Sequence, residues 1–110
     1  MTGVQTCALP IYSDQADAQL IKVLTSDPES AVRLEAAIAL GFRQINANSF
    51  AAQKQALAID KDEKVRLALL SNLWKGRGVF PEARKIIEKA ATNDASEDVR
   101  KAATELLVTD

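Results

Sequence analysis

The side chains able to do chemistry in this 110-residue sequence are few in kind. Histidine is absent and the only cysteine is Cys7. That removes the usual zinc sets, the Ser–His and Cys–His dyads, and any disulfide within the chain. Carboxylates and cations remain. The acids Asp14, Asp17, Glu29, Asp60, Asp62, Glu63, Glu97 and Asp98 fall mainly at the starts of expected helices. A negative charge there gains about 0.3–1 kcal/mol from the helix dipole, so their plain role is structural. Asp60, Asp62 and Glu63 superficially suggest a calcium loop, but the mid-loop glycine and the distant bidentate glutamate are missing. Gly76-Arg77-Gly78 is a turn and not a phosphate cradle, because no Gly-Lys-Ser/Thr follows. No catalytic residue, metal ligand or cofactor is expected.

The regular feature is a spacing. Val-Arg occurs at Val32-Arg33, Val65-Arg66 and Val99-Arg100, at intervals of 33 and 34 residues. Asp27, Asp60 and Asp94 each precede the valine by five positions, and Leu40, Leu73 and Leu107 each follow it by eight. Leu24, Leu57 and Ala91 stand three residues before the aspartates. Four columns aligned over three copies define an internal repeat, and an interval of this length implies stacked supersecondary units.

The elements that carry these columns read as helices. Nineteen alanines and twelve leucines against four glycines and three prolines favour them. Val32, Ala36, Ala39 and Leu40 share one helical stripe, as do Val65, Leu69 and Leu73, and Val99, Ala103, Leu106 and Leu107. The preceding helices carry Leu20, Val23 and Leu24, then Ala52, Ala56 and Leu57, then Ile86, Ile87, Ala90 and Ala91. Asp60 with Glu63 and Asp94 with Glu97 fit a capping box, and Pro28 and Pro81 suit first helical positions. Gly41, Gly76 and Gly78 can end second helices. The expected helices are 14–25, 28–41, 49–59, 61–75, 81–92 and 95–108. They group into repeats 14–41, 49–75 and 81–108 of an all-α domain spanning 13–110.

Residues 1–12 do not share the pattern and are expected to be a non-native or disordered leader. Thr2 to Ile11 closely resembles the peptide obtained by translating sequencing-adapter DNA. It has neither the basic start nor the long apolar stretch of a secretory signal. The chain then reads as part of a longer protein, with a cytoplasmic location favoured.

Asp, Val-Arg five residues on, then small apolar residues and a leucine resemble the HEAT repeat, best in Ala31 to Gly41 (AVRLEAAIALG). The resemblance covers roughly Asp14 to Val108. It implies a right-handed α-α superhelix, a solenoid of three HEAT-like hairpins. It also implies a ladder between copies, in which Arg33, Arg66 and Arg100 bond carboxylates and loop carbonyls around Asp27, Asp60 and Asp94. Copy two departs most, with Asn72 on the apolar stripe and Gln53 where the other copies have Leu20 and Ile87.

In related solenoids the second helix of each pair lines the concave surface, where ligands commonly bind. The face of these helices opposite the core stripe carries Leu34, Ile38 and Leu67, with Trp74 nearby. Trp74 is the expected anchor, since aromatics are frequent energetic centres of interfaces. Lys75 and Arg77, with Arg84, Lys85 and Lys89, would steer an acidic partner toward it. Copy three has Lys101 and Glu105 in these columns, as suits a polar capping end. A non-catalytic scaffold for a protein partner is therefore expected. A net charge of −1 provides no footprint for nucleic acid or membrane. The rival readings are a fragment of an accessory lyase or nucleic-acid-processing protein, and a purely structural spacer. HEAT-like bilin lyases find no distinctive residue here, and HEAT-like DNA glycosylases want a positive groove.

Overall fold

The computed structural model describes residues 14–109, and the leader with Cys7 lies outside them. The described residues form six helices and no strand: α1 (Asp14–Ser26), α2 (Ser30–Gly41), α3 (Ala47–Ile59), α4 (Glu63–Lys75), α5 (Ala83–Asn93) and α6 (Glu97–Leu107). Consecutive helices pair as hairpins, α1 with α2, α3 with α4 and α5 with α6. The hairpins stack, so that α2, α4 and α6 form one layer and α1 packs on α3 in the other. The result is elongated, 53 × 31 × 17 Å.

The core follows the repeating columns. Ala36, Ala37 and Leu40 on α2 meet Val65, Leu69, Leu70 and Leu73 on α4, and the same stripe continues to Val99 and Ala103 on α6. Leu24, Ala56, Leu57, Ile87 and Ala90 close it from the first-helix side. Small residues dominate the outer hairpins, which lets helix axes approach closely. Phe50 on α3 stacks on Phe80 in the turn before α5, with centroids 4.5 Å apart. At the other end, Asp17 on α1 receives Arg43 and Asn46 from the connection between the first two hairpins. Asn46 also exchanges a reciprocal capping pair with Ser49 to open α3.

Second helices start two residues later than the sequence pattern predicts. Asp60 and Asp94 close the first helices instead of opening the second ones. The reason is that each repeat aspartate is already occupied. Asp27, Asp60 and Asp94 accept the backbone N–H two residues on, from Glu29, Asp62 and Ser96 at 2.8–2.9 Å. The N-cap passes to those three residues, and Asp62 and Ser96 cap with their own side chains. Pro28 and Pro81 accordingly lie in the connections.

The two departures of copy two are one structure. Asn72 Nδ2 donates to Gln53 Oε1 at 2.7 Å and to the Ala37 carbonyl at 2.7 Å. A buried amide is costly when unpaired and nearly neutral when satisfied, so each polar residue makes the other tolerable. The pair joins α3, α4 and the preceding α2. Room for Asn72 comes from Gly41, where an added Cβ would sit 2.5 Å from Asn72 Oδ1. Gly41→Ala should therefore cost about 1–3 kcal/mol by overpacking. The cost should shrink markedly in an Asn72→Ala background, as read from urea melts in a double-mutant cycle.

Candidate functional site

Each junction between hairpins is tied by one arginine. Arg33 Nε and Nη2 reach Asp60 Oδ2 and Oδ1 at 2.9 and 3.2 Å, while its Nη1 donates to the Asp27 carbonyl at 2.9 Å. Arg66 repeats the pattern with Asp94, both contacts at 3.0 Å, and with the Asp60 carbonyl at 2.8 Å. Arg100 makes the backbone half of it, to the Asp94 carbonyl at 2.7 Å. The planar fork matches a carboxylate through two parallel bonds, which fixes angle as well as distance. The hydrogen bonds to Asp60 push the Arg33 guanidinium above its ordinary pKa, against the opposing effect of burial. A smaller polar contact crosses at the level of the second junction, where the Ser96 hydroxyl bonds Glu63. These groups are structural ties. Among the described residues no cluster of three or more His, Cys, Asp or Glu side chains could hold a metal ion.

The outward face of the α2–α4–α6 layer is different in character. Leu34, Ile38 and Phe42 follow one another at intervals of four along α2 and its C-cap. Ile38 is 47% exposed and Phe42 almost fully so. Leu67 occupies on α4 the column that Leu34 holds on α2, and both are half-buried. Beyond it lies a groove of about 330 Å³ between α4 and α6, lined by Leu67, Leu70, Ser71, Ala102, Glu105 and Leu106. The two leucines and Ile38 thus stand where the pattern of the sequence puts them. Phe42 was hidden from that reading because it follows the glycine expected to end the helix.

Trp74 is placed otherwise. The residue is only 4% exposed, and its ring is covered by the Arg77 guanidinium 4.5 Å from the centroid and by Arg84 at 5.2 Å. Arg77 also donates to the Trp74 carbonyl at 2.9 Å. The expected anchor is therefore a core side chain, and the cation nearest it is engaged in closing that core. The column it occupies is that of Gly41 in copy one, where Asn72 of the next hairpin takes the space that a side chain would need. Lys75 is exposed and donates to the Gly41 carbonyl at 3.0 Å, which ties the ends of α2 and α4.

Antiparallel helical pairs, stacked in two layers and latched at each junction by the same ion pair, define an α-solenoid. The chain belongs to the HEAT-repeat family: the family model described as HEAT repeats matches residues 16–108. No curated protein and no solved structure matches the chain. HEAT repeats generally mediate protein–protein interaction. Among the described residues no helix is long and apolar enough to cross a membrane.

The ties differ in burial, and the difference sets their energetic rank. The Arg66 and Asp94 side chains are 11% and 8% exposed, against 51% and 53% for Lys54 and Glu82, which are also paired. Arg66→Ala should lower unfolding free energy by about 3 kcal/mol, because it strands a largely buried carboxylate. Lys54→Ala should cost less than about 1 kcal/mol. Chemical denaturation of the two variants checks the ranking. A second expectation concerns acid. The Lys64 backbone N–H, followed by the Ser30 hydroxyl, holds the Asp62 carboxyl below its usual range. Stability from this charge is present at neutral pH and fades as pH falls through that lowered value. Asp62→Asn keeps a capping oxygen but not the charge, so it should flatten the acid limb of a stability–pH curve measured by thermal melts.

Proposed function

We propose that the chain is a non-catalytic binding module that holds a protein partner on the concave, second-helix face of its solenoid. The observation that carries this reading is the strip that runs from half-buried Leu34 to exposed Ile38 and Phe42, with Leu67 in the column of Leu34 lining the groove beside Leu106. A helix face that met only water would be polar at these columns. Contiguous apolar surface with polar borders is characteristic of interaction sites. The same helices expose charges of both signs, among them Glu35, Lys64 and Lys101, and Glu105 lines the groove, so affinity would come from apolar contact and register from charge. A helix with one apolar stripe fits such a strip, its anchors three or four residues apart. The groove has neither a nucleophile–base pair nor a cluster of cations, which favours a protein partner over substrate chemistry or nucleic acid.

Quantitative affinity capture with the double variant Ile38→Lys/Leu67→Lys tests the proposal, alongside Lys22→Glu/Gln55→Glu on exposed positions of the other layer. Proteins recovered by the wild type should fall by about tenfold or more with the first variant, equivalent to about 1.4 kcal/mol or more of lost contact. They should be unchanged with the second. Matching thermal melts ensure that both variants are folded. Undiminished recovery with the lysine pair, or loss confined to the Lys22/Gln55 variant, would overturn the assignment of the face.

A further inference from the structure

The two junctions of the stack differ on their first-helix side. There α1 packs directly on α3, but α5 does not pack on α3 in the same way. The connection before α5, residues 76–82, is longer than the one before α3, residues 42–46. It places Phe80 on Phe50 of α3, a ring-on-ring contact in place of direct helix packing. A groove of about 250 Å³ opens between the two helices, with Leu57, Ala58, Ile86 and Ala90 as its apolar floor. The Lys54–Glu82 ion pair, 2.7 Å long, bridges it at the end where α5 starts. At the other end Asp94 brings no free charge, since Arg66 holds both of its oxygens. Lys89 and Asn93 also line the groove, one turn apart on α5 and both exposed. Among the described residues neither side chain has a hydrogen-bond or ion-pair partner. The corresponding positions at the first junction are Gln55 and Ile59, so this pair of donors is not part of the repeat.

We propose that the groove between α3 and α5 binds an acidic peptide segment of a partner, one large aliphatic side chain filling it and a neighbouring carboxylate held by Lys89 and Asn93. The floor supplies apolar contact without direction. The rim supplies the choice of ligand: an ammonium and an amide N–H both donate, and a carboxylate has an oxygen for each. A basic segment would meet Lys89 with like charge, and an uncharged one would leave both donors without an acceptor. The volume suits one side chain and not a whole helix, and the Lys54–Glu82 bridge closes the path toward Phe80. The segment is therefore short and enters from the Asn93 end. Nucleic acid is a poorer fit, because no aromatic ring lines the groove for a base to stack on. This groove belongs to the first-helix layer, away from the strip of Ile38 and Leu67, and either site can fail without the other.

NMR titration of the whole, isotope-labelled chain with the blocked peptide acetyl-Asp-Glu-Leu-Asp-Glu-amide tests the proposal. The backbone signals of Ala58, Ala90 and Asn93 should shift and saturate at about millimolar peptide, as one side chain and one ion pair allow. Alanine in place of the leucine, or lysines in place of the acids, should weaken binding about tenfold or more. Ala58→Phe, which fills the groove from an exposed position, should abolish the saturable shifts. Lys89→Glu should reject the acidic peptide and take the lysine peptide instead, an exchange that a merely structural role for Lys89 would not produce. Thermal melts check that both variants are folded. Shifts that do not saturate by about ten millimolar peptide, or that are indifferent to Lys89→Glu, would overturn the inference. So would shifts confined to Ile38 and Leu67, a result that leaves the proposed function standing.

Discussion

A helical hairpin with one apolar side cannot bury that side alone, and here one arginine per junction decides how the next hairpin covers it. The guanidinium holds the carbonyl of its own repeat's aspartate with one nitrogen and the carboxylate of the following aspartate with two others. Hydrophobic contact alone is non-directional and would tolerate sliding of one helix pair over another. The fork is not tolerant in this way, because both nitrogens reach both oxygens only at one offset and one angle. The spacing of Asp, Val and Arg along the chain is therefore the spacing of the stack. Packing provides the free energy and the ion pair selects the register in which it is gained.

Much of this was legible in the residues themselves. The interval between Val-Arg pairs, and the stripes around them, identify six helices and three hairpins, and the likeness to HEAT repeats adds the arginine ladder. The second-helix starts were misplaced for a definite reason: an aspartate followed three residues later by glutamate fits a cap, but this aspartate has two prior claims on its oxygens. Local pattern cannot reveal that a side chain is occupied by a residue about 27 positions away. Trp74 was misread in the same manner. Its column is exposed on an isolated helix, and the turn bearing Arg77 and the start of α5 bearing Arg84 turn that column inward. Asn72 and Gln53 could have been found together. Two polar residues on core stripes of the same copy are improbable separately and reasonable as partners, and that coincidence was the available signal.

The candidate surface was the least legible part, because exposure belongs to the assembled layer. Ile38 keeps its apolar surface in water not through any property of α2 but because the helix has neighbours on only two sides. Leu67 shares the column of Leu34, and both are half covered, whereas Ile38 stands one turn further along and is 47% exposed. The apolar strip fades from the first hairpin to the third, where Lys101 and Glu105 replace leucine and isoleucine. Such a gradient gives the face a polarity that a row of identical repeats would lack.

The amide pair of the middle hairpin has a further consequence for how such an array can grow. Arrays of this kind lengthen readily when a unit is copied in tandem, since every unit offers its neighbour the same surface. This unit does not. Asn72 fits because the hairpin before it has Gly41 at the facing position, and the middle hairpin has Trp74 there instead. A tandem duplicate would press an asparagine against an indole. The three hairpins are thus letters in a fixed order, and the middle one cannot follow itself.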